Sequence, residues 1–212
     1  MASCGEVATA AAAGFTPERL FHSNPIKKDT DIAICARHGV QWFTFDNADE
    51  IAKLCAYAPG ANVLLRVAIK NESCVVNLGA KFGVNPEDAL PLLLQARSAG
   101  INVRGSRSTS AVSPLIPRPI RRHSKIVRQI FDDAAAAGVR LDTLDIGGGF
   151  PVTCPDGRAE ARGLLPRGLA PPVEMFPAGV RIIAEPGRCI SGDAMTLVVR
   201  VIGRSIRNGI PW

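Results

Sequence analysis

The order of hydrophobic and polar positions along the chain predicts an alternation of helices and strands. Segments with apolar residues at helical spacing end at a glycine and lead into short apolar runs rich in branched or aromatic side chains. Helices are predicted over 6–13, 29–37, 48–58, 86–99 and 126–137. Strands are predicted over 20–23, 41–45, 63–69, 101–103, 141–146 and 180–184.

Strands that alternate with helices in this way pair in parallel through right-handed crossovers. Two α/β architectures have this order of elements, a doubly wound sheet and a (β/α)₈ TIM-type barrel, and we favour the barrel. A full barrel takes about 250 residues. Because only these strands are visible in 212 residues, we expect a barrel that is incomplete at both ends.

The composition fits one globular domain, with 47% hydrophobic and 21% charged residues. Its apolar runs are far shorter than the roughly 20 residues that cross a bilayer, and residues 1–14 lack the basic start of a secretory signal. The six cysteines never occur at C-x-x-C spacing, and the three histidines follow no metal-ligand spacing. We therefore expect a cytoplasmic protein with no membrane partner and no metal.

The net charge of +6 is concentrated in one segment. Seven Lys and Arg residues, and no Asp or Glu, lie between 104 and 128, so the rest of the chain carries −1. Two ordinary explanations are a solvated loop and a contact with nucleic acid. We expect no nucleic-acid partner, because a local change of reading frame explains this cluster of arginines better.

Two motifs point to a site for a phosphorylated cofactor. The predicted strand L-D-I at 144–146 runs directly into Gly147, Gly148 and Gly149, whose backbone N–H groups could close around a phosphate. A tight turn after a strand explains the glycines equally well. The second motif, I-I-A-E-P-G-R at 182–188, puts Glu185 and Arg188 at the end of another strand, although they could form a simple surface pair. Together the motifs offer phosphate donors, an arginine and an anion for a protonated ring nitrogen.

These motifs, in this order, resemble those of the pyridoxal-phosphate decarboxylases of the ornithine decarboxylase family, whose barrel is similar to that of alanine racemase. L-L-R-V-A at 64–68, K-F-G at 81–83, N-P-x-K at 24–27 and T-F-D at 44–46 also fall in family order. The resemblance implies that Gly147, Gly148, Gly149 and Arg188 bind the phosphate of pyridoxal 5′-phosphate. It also implies that Glu185 pairs with the ring nitrogen and that Arg66 lies near the ring.

The same resemblance implies an activity and partners. Family members decarboxylate basic amino acids, such as ornithine to putrescine in polyamine biosynthesis, and they work as homodimers. Their Schiff-base lysine and their C-terminal β domain have no counterpart in 1–212, so we expect residues 1–212 to form a partial cofactor-binding barrel domain that is inactive alone. Lys70 imitates that lysine, but its neighbours match a later strand. The alternative is a catalytically dead paralogue that acts as a regulatory binding protein.

The basic segment departs from the family pattern. Where the family has a strand reading S-F-H-V-G-S, whose His stacks on the cofactor ring and whose Ser contacts the phosphate, this chain begins S-R-S-T-S-A at 106–111. One set of codons for residues 106–123, when it is read from its third base, spells S-F-H-V-G-S and continues with a sequence similar to that of the family. We therefore expect a local frameshift over 106–123. The Arg-rich and Pro-rich residues 158–172 have no explanation from the sequence.

Overall fold

A computed structural model describes residues 1–69, 81–108, 118–148, 150, 175–191, 194, 198, 200–207 and 210–211. Its centre is a six-stranded parallel sheet in which the strands follow one another in chain order. The strands are β1 Phe21–His22, β2 Trp42–Phe45, β3 Asn62–Val67, β4 Asn102–Ser108, β5 Thr143–Asp145 and β6 Arg181–Ile183. Two further strands, β7 Ile206–Arg207 and β8 Ile210–Pro211, form an antiparallel pair.

The strand order separates the two architectures that the sequence left open. A doubly wound sheet reverses its strand order at a switch point, whereas a barrel wall adds each new strand beside the previous one. The order from β1 to β6 contains no reversal. The doubly wound alternative is therefore wrong for the described strands, which form half of a barrel wall.

In the part of the chain that the structure describes, five helices alternate with these strands. They are α1 Cys4–Ala12, α2 Asp29–Arg37, α3 Ala48–Tyr57, α4 Ala89–Ser98 and α5 Arg118–Ala136. Shorter helical segments span Pro17–Arg19, Pro86–Asp88 and Arg188–Ser191. The predicted glycine stops are confirmed, because a glycine with positive φ follows each helix from α1 to α5 and only glycine adopts that backbone conformation without strain. These glycines are Gly14, Gly39, Gly60, Gly100 and Gly138.

Side chains near the helix starts satisfy backbone donors that the helix leaves free. At α1, Ser3 Oγ accepts from the Glu6 N–H at 3.3 Å, while Glu6 Oε2 accepts from the Ala2 N–H at 2.6 Å. At α3, Asn47 Oδ1 accepts from the Glu50 N–H at 3.0 Å. Such caps typically contribute about 1 kcal/mol each, and they explain why these two helices begin where they do.

The core lies between the sheet and the helices that cover it. Successive residues of β3, Val63, Leu64 and Leu65, are all fully buried. Consecutive buried residues are the mark of a parallel strand that is covered on both faces. Ile32 of α2 and Leu93 of α4 pack in the same core as Val63 and Leu65, so these helices cover the sheet.

The basic segment differs from the sequence expectation. Strand β4 was predicted to end at 103 but continues to Ser108, and α5 begins at Arg118 rather than at 126. Ser106 is fully buried and Arg107 is nearly so. The solvated-loop explanation is therefore wrong for 106–108 and for the helical residues 118–123. Residues 109–117 and 158–172 lie outside the described part of the chain, in which no helix is long and apolar enough to cross a membrane.

Candidate functional site

The charged residues of the interior meet where the strands end. Arg66 on β3, Arg107 on β4 and Asp145 on β5 are neighbours in the register of the sheet. Side chains of paired residues in adjacent strands project from the same face. Glu185 follows β6 by two residues, so two guanidinium groups and two carboxylates converge at the carboxyl edge of the sheet.

Arg107 is the centre of this cluster. Its Nε donates to Glu185 Oε2 at 3.0 Å, and its Nη2 donates to the same oxygen. Its Nε also lies 3.5 Å from Asp145 Oδ2. The Arg107 side chain is 9% exposed, that of Asp145 is 0% exposed and that of Glu185 is 22% exposed. One buried cation therefore serves two carboxylates.

The cluster is not fully satisfied. Nη1 of Arg107 is buried and has no hydrogen-bond partner among the described residues, and the same holds for Asp145 Oδ2. Burial raises the pKa of Asp145 to about 7, and the neighbouring charge of Glu185 adds to the effect. The Gly147 N–H and Arg107 act in the opposite direction. Carboxyl groups that are tuned in this way are concentrated at functional sites.

The glycine turn after β5 is built against Glu185. The Gly147 N–H donates to Asp145 Oδ1 at 2.7 Å, and Gly147 has a φ of 71°. The Glu185 N–H donates to the Gly147 carbonyl at 2.8 Å. A Cβ atom on Gly148 would lie 2.6 Å from the Glu185 carbonyl oxygen. Gly147 is thus required by its positive φ and Gly148 by the close approach of the turn to the residue after β6.

The K-F-G motif joins the same edge beside Arg66. Val84 pairs with β3 through hydrogen bonds of 2.8 Å to the Ala68 N–H and 2.9 Å to the Arg66 carbonyl. This pairing puts the Phe82 ring 4.6 Å from the Arg66 guanidinium carbon. Burial, followed by repulsion from Arg107, lowers the pKa of Arg66 to about 10, so Arg66 stays charged at neutral pH.

The T-F-D motif completes this corner, because Asp46 Oδ2 accepts from the Gly83 N–H at 2.8 Å. The structure thus brings together four of the predicted site residues: Arg66, Gly147, Gly148 and Glu185. Gly149 and Lys70 lie outside the described residues. Arg188 begins the short helix Arg188–Ser191, and its side chain also lies outside the described part.

Sequence reasoning missed Arg107 and Asp145. Asp145 could have been found from its place as the last strand residue before the glycines. Arg107 could have been found only by continuing β4 past residue 103, because it then falls opposite Arg66 and Asp145 in the register. Within the described residues, no group of His, Cys, Asp and Glu side chains is arranged to hold a metal ion.

Enzymes built on a parallel α/β wall bind small ligands at the carboxyl edge of its strands. The glycine turn and the buried carboxyl group of Asp145, whose pKa is raised, place this chain in that class. The family model for the pyridoxal-binding domain of pyridoxal-dependent decarboxylases matches residues 1–192. The chain belongs to this family, and pyridoxal phosphate is the cofactor of the domain.

Known proteins agree with this assignment. The chain is 33% identical over 212 residues to the lysine/ornithine decarboxylase of Selenomonas ruminantium, which covers 100% of this chain and 54% of the relative. It is 32% identical over 209 residues to antizyme inhibitor 2 of Xenopus laevis, covering 96% of this chain and 45% of the relative. A crystal structure of lysine decarboxylase from Selenomonas ruminantium superposes with a TM-score of 0.85 at 34% identity, covering 100% of this chain and 56% of that one. The chain spans about half the length of these relatives.

The described residues fit the cofactor in their chemistry. The turn at Gly147 and Gly148 has no side chains to obstruct an anion. The two carboxylates, Asp145 and Glu185, suit a cation such as a protonated ring nitrogen. The one complication is Arg107, whose guanidinium already holds Glu185.

Proposed function

We propose that this chain is the cofactor-binding part of a pyridoxal-phosphate-dependent decarboxylase that acts on ornithine or a similar basic amino acid. The observation that carries this proposal is the backbone hydrogen bond from the Glu185 N–H to the Gly147 carbonyl, which holds the glycine turn next to the residue that bears the carboxylate. The lysine/ornithine specificity of the Selenomonas ruminantium relative supports the substrate class. Conversion of ornithine to putrescine for polyamine biosynthesis is the reaction we favour.

Each end of the cofactor has its own residues in this proposal. Backbone N–H groups of Gly148 and Gly149, with Arg188, hold the phosphate, while Glu185 pairs with the ring nitrogen. Gly147, which the sequence also assigned to the phosphate, shapes the turn instead, because its N–H already donates to Asp145. A protonated ring, when bound, stabilises the negative charge that remains after an α-carboxylate departs as CO₂. The role of this chain is to keep the proton on that nitrogen. For this, the Glu185 carboxylate must be free to contact the ring nitrogen.

Other residues orient these groups. Asp145 accepts from the Gly147 N–H and so holds the turn in the conformation that faces Glu185. Arg66 is held against Phe82 and supplies a fixed positive charge near the ring. We extend the proposal to a closed (β/α)₈ barrel, a homodimer and a cytoplasmic location, all by the family resemblance.

Binding and turnover test this function separately. The chain should bind pyridoxal 5′-phosphate more tightly than pyridoxal, since the glycine turn reads the phosphate, and Gly148→Val should abolish that difference. In a protein that also supplies the family lysine and β domain, release of CO₂ should be measured from ornithine, lysine and arginine. Glu185→Ala should lower turnover more than cofactor affinity, because it leaves the phosphate donors intact. Equal affinity for pyridoxal and its phosphate would contradict the proposed site.

A second candidate is a regulatory binding protein without catalysis. Two observations favour it, namely the similarity to an antizyme inhibitor and the occupation of Glu185 by Arg107. A protein of this kind does not need the cofactor. Failure to bind pyridoxal phosphate, both in this chain and after removal of Arg107, would favour this candidate over the decarboxylase.

We also propose that a frameshift produced residues 106–123. Transcript sequence across codons 100–130 tests it directly, since codons for 106–111 that cannot spell S-F-H-V-G-S in another frame would exclude it. The shifted frame replaces Arg107 by phenylalanine and therefore leaves Glu185 without its present partner. A chain carrying S-F-H-V-G-S at 106–111 should then bind the cofactor more tightly than the chain as printed.

A further inference from the structure

The charge balance at the carboxyl edge raises the question of what a cofactor would displace. Both donating nitrogens of Arg107 converge on one oxygen of Glu185, and its third nitrogen, Nη1, is buried without a partner among the described residues. A guanidinium in this position offers the carboxylate the same thing as a protonated pyridine nitrogen, a positively charged N–H donor. The two groups are therefore alternative cationic donors for Glu185.

They cannot both serve Glu185 well. If Arg107 remains in place, its charge repels a protonated ring and favours loss of the ring proton, because a like charge nearby disfavours the charged form. If Arg107 leaves, the ring nitrogen can take over its role and the charge of the cluster is unchanged. The unsatisfied Nη1 makes departure easier, since a buried donor without a partner gains hydrogen bonds when it reaches water.

We propose that Arg107 is an internal competitor of the cofactor ring, and that pyridoxal phosphate reaches Glu185 only by exchanging its ring N–H for the Arg107 guanidinium. This inference rests on the proposed function, which assigns the ring nitrogen to Glu185. It adds a residue that lowers cofactor affinity and lies on β4, where this chain departs from the family pattern. The exchange makes and breaks only hydrogen bonds and ion pairs.

The test compares cofactor affinity in the whole chain with and without the competitor. Pyridoxamine 5′-phosphate is the probe, because it lacks the aldehyde that would react with surface lysines, and calorimetric titration gives its dissociation constant. Arg107→Gln should bind the probe about ten- to a hundredfold more tightly, which is the range expected for one buried charge-assisted hydrogen bond.

Arg104→Gln is the matched control. It removes an arginine from the same strand and the same unit of net charge, but Arg104 pairs with Asp142 and not with Glu185. Its affinity for the probe should equal that of the unmodified chain. Equal tightening in both variants would mean that net charge, and not competition for Glu185, is responsible, and this would overturn the proposal.

A cofactor analogue whose ring nitrogen is replaced by carbon tests the atom involved. Such an analogue has no N–H to offer, so Arg107→Gln should give no gain in its affinity. A gain of the same size with the analogue would overturn the exchange. If Arg107→Gln folds poorly, as far-ultraviolet circular dichroism would show, Arg107→Gln with Asp145→Asn removes the excess negative charge and should show the same gain for the natural probe.

The outcomes separate this inference from the function on which it rests. Binding of the probe by every variant with unchanged or weaker affinity after Arg107→Gln would overturn the role of Arg107 and leave the decarboxylase assignment intact. No binding by any variant, including the one without Arg107, would overturn the proposed function and the competition together. Tighter binding that requires the ring nitrogen supports both.

Discussion

Arg104 and Arg107 lie on the same strand, β4, yet they form two different kinds of ion pair. Arg104 contacts Asp142 through Nε at 3.1 and 3.2 Å and through Nη2 at 2.5 Å, and its side chain is 41% exposed while that of Asp142 is 31% exposed. Arg107 is 9% exposed and faces both Glu185 and Asp145. The first is a solvated pair of opposite charges, and the second is a buried cluster in which one guanidinium contacts two carboxylates.

The two ion pairs distinguish charge that is structural from charge that is available for function. Asp142 behaves as an ordinary paired carboxylate: burial opposes its ionisation, but hydrogen bonds from Arg104 and Thr143 outweigh this and lower its pKa. At Asp145 burial prevails and the pKa rises to about 7. A solvated pair contributes little to stability, whereas a buried and unbalanced one is costly unless a ligand completes it.

The largest expected effect comes from removing the shared cation. Arg107→Gln should lower the free energy of unfolding by about 3 kcal/mol at pH 8, because two carboxylates then face each other in the interior. Urea denaturation measures the change. Adding Glu185→Gln should recover most of the loss, since Asp145 then no longer faces a second carboxylate. A loss below about 1 kcal/mol would mean that the cluster is solvated like the pair at Arg104.

A smaller effect is expected where the turn meets β6. Gly148→Ala should lower the free energy of unfolding by about 1–3 kcal/mol, because the added Cβ has to move a backbone oxygen that is only 2.6 Å away. Gly187→Ala is the control, since a Cβ there meets nothing within 4 Å. It should change stability by less than about 0.5 kcal/mol. Equal effects of the two substitutions would show that the backbone at Gly148 has room for a Cβ atom.

The pH dependence of stability should reveal Asp145. The folded chain holds a proton on Asp145 up to about pH 7, whereas the unfolded chain releases it near 3.8. Between these values the folded state binds more protons, so this group makes stability fall as pH rises, by at most about 1.4 kcal/mol per pH unit. Asp145→Asn should remove that slope. Unfolding curves of both proteins at several pH values from 4 to 8 measure the difference, and identical slopes would contradict the raised pKa.

The smallest effect is expected at the solvated pair. Arg104→Gln should cost at most about 1 kcal/mol, and part of that cost should disappear in 1 M salt, because exposed charges are screened. The cost of Arg107→Gln should depend much less on salt, since its partners are buried. Denaturation of both variants at low and high salt tests this contrast. A larger cost for Arg104→Gln than for Arg107→Gln would reverse the comparison.

Most of the elements could be predicted from the sequence because their signals are local. Helical periodicity and a glycine stop lie within a few residues of each other, so the five long helices and six strands were found with small errors in their bounds. The errors are largest in β4 and α5, where arginines stand at strand and helix positions that hydrophobic patterns do not mark. Arg107 escaped notice for this reason, although it is more buried than Glu185.

The alternation of elements, the helix ends and the two motifs that carry Gly147, Gly148 and Glu185 follow from the amino-acid sequence. The sequential strand order and the pairing of Arg107 with Glu185, which is 78 residues away in the chain, are visible only in the folded molecule. Local backbone preferences act between near neighbours. An ion pair between two strands depends instead on their register and on how completely the surrounding core excludes water, and neither property is written in a short stretch of sequence.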